Sequence, residues 1–323
     1  MATEIEIPHC EQLNRSGHLK HLLTLEGLDR ELLATLLDRA ESYLRPAGEP
    51  PARDHALAGR TVANLFFEPS TRTRASFELA AKRMSADVLN LDVNTSSRKK
   101  GESILDTIYT LQAMQTDVFV VRDASAGVPA MIAAHVQPHV SVLNAGESSV
   151  SHPTQGLLDI MTIRQHKADF SRISIAIVGD IAHSRVARSA CQALRIMGTR
   201  DIRLVAPPGM EPDQAHYPGA RITDDLNTGL TGADVVMALR IQRERIEQQA
   251  GLMSAAAYHE AYGITEQRLL RARPDAIVMH PGPMNRDVEI AASVADGPHS
   301  VITRQVTNGL AMRMAILATV VEA

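Results

Sequence analysis

The chain has 323 residues, 45% of them hydrophobic and 22% charged. That balance belongs to a folded protein and excludes a disordered one, and at roughly 150 residues per domain the length predicts two domains. Net charge is −4, from 33 Lys and Arg against 37 Asp and Glu, so the basic excess that nucleic acid or an anionic membrane attracts is missing. There is no Trp, and five Tyr and five Phe are too few for base-stacking platforms. No apolar run reaches the ~20 residues of a membrane helix. The acidic start MATEIEIPHC lacks the basic-then-apolar layout of a signal peptide. Two cysteines, Cys10 and Cys191, make neither a disulfide framework nor a thiolate zinc site, and a cytoplasmic location is expected.

Strand and helix patterns alternate from about residue 60 onward. RTVANLFF (60–67) reads as a buried strand, 72–86 as a helix with Ala75, Leu79 and Arg83 on successive turns, and DVLNLD (87–92) as a short strand. Residues 102–115 carry the apolar stripe Ile104, Leu105, Ile108, Leu111 of a helix. DVFVV (117–121) and VSVLNA (140–145) are strands around a helix at 127–136. The pattern then restarts. A long helix at 152–165 precedes the strand RISIAIVGD (172–180), a helix at 184–197 stopped by Gly198, and strands at 202–207, 234–239 and 275–280. Residues 303–322 close the chain as an apolar helix. Alternation of this kind predicts right-handed βαβ units, hence two doubly wound parallel-sheet α/β domains. We expect residues 1–150 with 303–323 in the first domain, the closing helix packing back on it, and 151–302 in the second, with 151–166 as an interdomain helix.

Ligands of open parallel sheets bind beyond the carboxyl ends of the strands. After the first strand stands FEPSTRTRASFE. Ser70 is expected to cap the next helix by accepting a backbone N–H, which sets Thr71, Arg72 and Thr73 on its positive first turn, a good anion site. A bare S-T-x-T would be an ordinary cap; arginines at 72 and 74 favour the anion site. DVNTSSRKKGES after the second strand reads by itself as a solvated loop. Arg122, at the lip of the third, is a snorkelling surface residue or an inward-facing anion ligand. After the fourth, His152 precedes Pro153, a usual first helical position, and shares a helix face with Gln155. In the second half Arg185 opens a helix, Arg240 and Gln242 follow the 234–239 strand, and His280-Pro281-Gly282-Pro283 follows the last strand as a rigid turn that can hold backbone carbonyls. The pairs His18/His21 and His135/His139 bring no carboxylates with them, so no metal is expected. No G-x-S-x-G elbow occurs. Separate arginines with one histidine, and neither a nucleophile nor a carboxylate pair, suit a reaction between two anions driven by proximity and electrostatics.

Ser70-Thr71-Arg72-Thr73-Arg74, preceded by Phe67-Glu68-Pro69, resembles the carbamoyl-phosphate motif of the aspartate/ornithine carbamoyltransferase family, and His152-Pro153-Thr154-Gln155 resembles its H-P-x-Q element. Asn94-Thr95-Ser96, Lys99-Lys100-Gly101-Glu102, Leu143-Asn144-Ala145-Gly146 and Val178-Gly179-Asp180 fit in the same order, and the likeness runs from about residue 20 onward. Arg240-x-Gln242-x-Glu244-Arg245 is similar to the aspartate-binding loop, whereas the S-M-G and H-C-L-P elements of the ornithine branch are missing. The resemblance implies transfer of a carbamoyl group from carbamoyl phosphate to L-aspartate, without cofactor or metal, as a step of pyrimidine synthesis. It implies that Ser70, Thr71, Arg72 and Thr73 hold the phosphate, that Arg122 reaches both the phosphate and the carbonyl oxygen, and that Thr73, Arg122 and His152 polarise the carbonyl. Gln155 with the Pro281 and Gly282 carbonyls would hold the carbamoyl NH₂, and Arg185, Arg240 and Gln242 the carboxylates of aspartate. Ser96 and Lys100 would enter from a neighbouring subunit, making a homotrimer with shared sites; regulatory or dihydroorotase-type subunits are further partners the resemblance allows. Gly282 stands where some relatives have Leu, and residues 1–18 look like an extension.

Three other readings compete. A nicotinamide dehydrogenase is opposed by Ile181 and Ser184 at the second and third glycine positions of its fingerprint. A non-catalytic subunit of the same fold is opposed by the filled catalytic positions. A carbamoyltransferase with another acceptor amine stays open.

Overall fold

The computed structural model describes residues 11–91, 103–241 and 253–323. Ser96, Lys100 and Gln242 lie outside the described residues. The chain forms two compact units, residues 1–157 with 307–323 and residues 158–306, each built on one all-parallel sheet.

The first unit holds β1 (Thr61–Phe66), β2 (Asp87–Leu91), β3 (Val118–Asp123) and β4 (Ser141–Glu147) in the order β2-β1-β3-β4. β1 and β3 are central, buried on both faces, and read as near-continuous apolar runs. Ahead of them a helix that sequence reasoning missed, α1 (Arg30–Ser42), is capped by Asp29 and buries Leu33, Leu36, Leu37 and Ala40. Helix α2 (Thr71–Arg83) follows β1, α3 (Ile104–Ala113) precedes β3, and α4 (Val128–His135) joins β3 to β4. The inward face of α2 is Thr73, Phe77, Ala80 and Ala81, while Leu79 of the expected stripe is exposed.

Residues 20–23 lie along β4 and extend its hydrogen bonding. Leu22 N–H donates to the Val142 carbonyl at 3.0 Å and Asn144 N–H to the Leu22 carbonyl at 2.8 Å. Next to that bridge, Val142 N–H donates to Nδ1 of buried His21 at 3.0 Å. Burial, with Lys20 adding repulsion, lowers the His21 pKa to about 4. The unfolded chain therefore takes a proton below its ordinary value of 6.5 that the folded chain refuses. Stability should fall as pH drops from 6.5 toward 4, by about 2 kcal/mol at pH 5. His21→Asn, whose amide oxygen can accept the Val142 N–H without titrating, should flatten that loss. Urea midpoints at pH 7.5 and 5.0 check it, and equal pH slopes in both proteins would refute it.

The second unit opens with the body of α5 (Pro153–His166), which starts in the first. It holds β5 (Ser174–Val178), β6 (Asp201–Val205), β7 (Arg221–Thr223), β8 (Val235–Ala238) and β9 (Ile277–Met279) in the order β7-β6-β5-β8-β9. Helix α6 (Arg185–Met197), N-capped by Ser184, ends on Gly198 at φ 103°, the expected left-handed stop. The shorter helices α7 (Leu226–Leu230), α8 (Ala255–Tyr262), α9 (Glu266–Leu269) and α10 (Ala292–Ala295) and the strand β7 were not legible as elements. Helix α11 (Ile302–Val321) closes the chain. Its later turns pack on the first unit: Ser141 Oγ donates to the Val320 carbonyl at 3.1 Å, and Arg39 forks onto the Glu322 carboxylate. Among the described residues no helix is long and apolar enough to cross a membrane.

Candidate active site

In the first sheet the strand order reverses between β1 and β3, and the crevice at such a switch point is where parallel sheets take ligands. Two sequence-predicted elements flank it. Four residues separate β1 from helix α2, and Arg122, the next-to-last residue of β3, is in register with Phe66. Ser70 occupies the N-cap position at φ −158° but makes no cap bond. This corrects the expectation from sequence: the Ser70 hydroxyl bonds to Thr73 Oγ1 at 3.0 Å instead. The two hydroxyls thus stand together at the positive end of α2, with Thr71 and Arg72 exposed beside them.

Arg122 is buried, which excludes a snorkelling surface residue. Its Nη2 pairs with Glu68 Oε1 at 2.6 Å, and Nη1 donates to the Ala145 carbonyl at 3.1 Å. Glu68 stands two residues before Ser70, so one carboxylate ties the β3 guanidinium to the loop that enters α2. Beneath α2, Arg313 of α11 stacks over the Phe77 ring at 5.0 Å, and burial lowers its pKa to about 10. After β4 the chain turns through Ser148 at φ 42° and delivers His152 and Gln155, both buried, at the start of α5. The Thr154 hydroxyl lies 3.4 Å from His152 Nδ1, and Gln155 N–H donates to the His152 carbonyl. The first unit by itself therefore brings Ser70, Thr71, Arg72, Thr73, Arg122, His152 and Gln155 to the carboxyl ends of β1, β3 and β4.

The second sheet reverses between β5 and β8. Arg185 opens α6 just beyond β5, and Arg240 follows β8. Gly179 is required there: at φ +138°, an added Cβ would come within 3.0 Å of Leu239 Cβ and 3.3 Å of its carbonyl oxygen. Asp180, next along, bonds to His183 Nδ1 at 2.8 Å. The Pro281–Gly282 turn follows β9, the neighbour of β8, with Gly282 in the left-handed region at φ 66°. Sequence reasoning missed the group that holds this turn. Buried His280 donates its backbone N–H to Gln305 Oε1 at 2.9 Å, Gln305 in turn donates to Asp159 Oδ1 at 2.8 Å, and the imidazole meets the Glu289 carboxylate, to which the Asn285 backbone N–H also donates. Among the described residues no three His, Cys, Asp or Glu side chains are grouped as a metal ion would need.

The family model for the carbamoyl-phosphate-binding domain of aspartate/ornithine carbamoyltransferases matches residues 20–165, and that for the aspartate/ornithine-binding domain matches residues 171–320. The chain belongs to the aspartate/ornithine carbamoyltransferase family. Among solved members of that family, aspartate transcarbamoylase from Trypanosoma cruzi in complex with N-(phosphonacetyl)-L-aspartic acid superposes with a TM-score of 0.82 at 33% identity, covering 93% of this chain and 95% of that one. The same enzyme with carbamoyl phosphate and aspartate gives 0.80 at 32% identity, with 93% and 95% covered. An ornithine carbamoyltransferase from Thermus thermophilus gives 0.82 at 25% identity, covering 94% of this chain and 99% of that one. A carbamoyltransferase of this family therefore carries arginines at the switch points of both its sheets.

Proposed function

We propose that this carbamoyltransferase uses L-aspartate as its acceptor, giving N-carbamoyl-L-aspartate and phosphate. The observation that carries the acceptor is the arginine pair Arg185 and Arg240 flanking the second switch point. Two guanidiniums suit an acceptor with two carboxylates and repel the side-chain ammonium of ornithine. The Trypanosoma cruzi relatives that carry carbamoyl phosphate and aspartate support the same choice.

In this reading Ser70, Thr71, Arg72 and Thr73 bind the phosphate of carbamoyl phosphate. Thr73, Arg122 and His152 donate to its carbonyl oxygen, and Gln155 with the Pro281 and Gly282 carbonyls holds its NH₂. Arg185, Arg240 and Gln242 hold the acceptor carboxylates. The amine nitrogen attacks the carbonyl carbon directly, the bond to the phosphate oxygen breaks, phosphate departs with its electron pair, and the new nitrogen loses its proton. No enzyme-bound covalent intermediate forms. Catalysis then consists of holding two anions together against their repulsion and of meeting the oxyanion with fixed donors. The reaction is the committed step of pyrimidine synthesis, carried out in the cytoplasm.

Phosphate release from carbamoyl phosphate across a panel of amino acids tests the acceptor. L-Aspartate should exceed L-ornithine by on the order of 100-fold or more, because a site built for carboxylates leaves its guanidiniums unpaired with the wrong partner. Release with ornithine alone would overturn the reading. Arg240→Ala should raise KM for aspartate by roughly 10–100-fold through the loss of one charged hydrogen-bond pair, with KM for carbamoyl phosphate little changed. An unaltered aspartate KM would remove Arg240 from the acceptor site.

The same reading makes the active unit a homotrimer in which Ser96 and Lys100 serve the neighbouring subunit's site. Lys100→Ala chains and Arg122→Ala chains, each inactive alone, should regain activity when mixed and reassembled, because some sites then draw both intact residues. Verified hybrids without recovery would mean that each subunit completes its own site.

A further inference from the structure

Glu289 is a buried acid at 1% exposure, set between the core residues Val288 and Ile290. Three donors converge on its two oxygens. His280 Nε2 lies 3.1 Å from Oε1, the Asn285 backbone N–H donates to the same oxygen, and Asn285 Nδ2 lies 3.2 Å from Oε2. The direction of the His280 bond follows from its other nitrogen. Gly282 N–H donates to Nδ1 at 2.8 Å, so Nδ1 accepts and Nε2 carries the proton. All three partners donate, so Glu289 acts only as an acceptor. Asn285 Nδ2 also donates to the Ile241 carbonyl at 2.9 Å.

A buried acid of this kind is a costly way to hold a fold together, because apolar residues of similar volume usually serve stability as well. What it achieves here is connection. One path runs from Glu289 through the imidazole to the Gly282 N–H, inside the Pro281–Gly282 turn. The other runs through the Asn285 amide to Ile241, the residue after Arg240. We propose that Glu289 is a positioning residue that anchors both elements at once, the turn that faces the carbamoyl NH₂ and the strand end that carries the acceptor arginine. The inference rests on the roles given to Pro281, Gly282 and Arg240 under the proposed function. Its cause is geometric: a shift of about 1 Å in either element costs rate on the order of 100-fold.

Half-isosteres separate the two arms. In His280→Gln the amide nitrogen can still reach Glu289, but nothing accepts the Gly282 N–H. In His280→Asn the amide oxygen can accept the Gly282 N–H, but the link to Glu289 is lost. Asn285→Ala cuts only the arm to Ile241. Steady-state kinetics with both substrates and amide exchange over peptides spanning 278–286 are read on the full chain. We expect Asn285→Ala to raise KM for aspartate about tenfold with kcat within threefold. His280→Gln should lower kcat 10–100-fold with the aspartate KM held and should speed exchange in the turn about tenfold or more. His280→Asn should keep most of the turn's protection, and Glu289→Gln should show both kinetic defects. Equal losses of kcat and KM in all four variants, tracking their melting temperatures, would make the group merely structural and overturn the proposal. So would unchanged exchange in His280→Gln. A wild-type chain that releases no phosphate with aspartate would instead defeat the proposed acceptor, and the exchange pattern would still decide whether Glu289 holds the turn.

Discussion

Arg122→Ala is expected to lower kcat/KM by on the order of 10⁴. Two contributions add: about 3–4 kcal/mol for a donor aimed at the developing oxyanion, and about 1.5–3 kcal/mol for a charge-assisted bond to phosphate. Arg122 is held for this by its two bonds to Glu68 and Ala145, so little ordering remains to be done when substrate binds. Its removal has a second effect, because the Glu68 carboxylate, beside an anion-binding loop, then loses the Arg122 charge and repels the phosphate more strongly. The double variant Arg122→Ala/Glu68→Gln should therefore bind carbamoyl phosphate several-fold more tightly than Arg122→Ala alone, although kcat stays low. Circular dichroism must show both variants folded. A double variant that binds no better would mean that Glu68 only orients the arginine. An Arg122→Ala enzyme within tenfold of wild type would take Arg122 out of the reaction.

The sequence makes strand ends legible because buried parallel strands are long apolar runs and the residues just beyond them are polar. That is why Ser70, Arg122, His152, Arg185, Arg240 and the Pro281–Gly282 turn could be picked out without knowing which strands are neighbours. Helix α1 was also within reach: Asp29 and the spacing of Leu33, Leu36, Leu37 and Ala40 state a cap and a buried face. The order β2-β1-β3-β4 was not, although only that order sets Arg122 beside the loop before α2. Nor was the Glu68–Arg122 pair, whose members are 54 residues apart in sequence. The role of Ser70 was misread for a local reason. A serine at an N-cap normally accepts from the helix, but here the Thr73 hydroxyl one turn on is a nearer partner. Glu289 and Asn285 carry no periodic or compositional signal at all, since a buried acid reads from sequence as one more surface charge. Net charge misled in the same manner: −4 for the whole chain says nothing about arginines gathered at the switch points.

His152→Ala is expected to lower kcat by on the order of 10²–10³, the usual cost of one oxyanion donor, with both KM values within a few-fold. The position of the ring is the reason. His152 is 6% exposed and stands at the start of α5, with the Thr154 hydroxyl 3.4 Å from Nδ1. The proposed role needs a ring N–H aimed at the carbonyl oxygen, which a neutral imidazole can supply from one nitrogen while the other accepts. His152→Gln supplies an amide N–H near the position of Nε2 and should recover part of the lost kcat. His152→Ala and His152→Leu, which supply none, should be equally poor. An effect confined to KM would mean that His152 binds the ground state and the transition state alike. Equal activity in the Gln and Leu variants would show that the ring acts by shape, and the oxyanion would then depend on Thr73 and Arg122 alone.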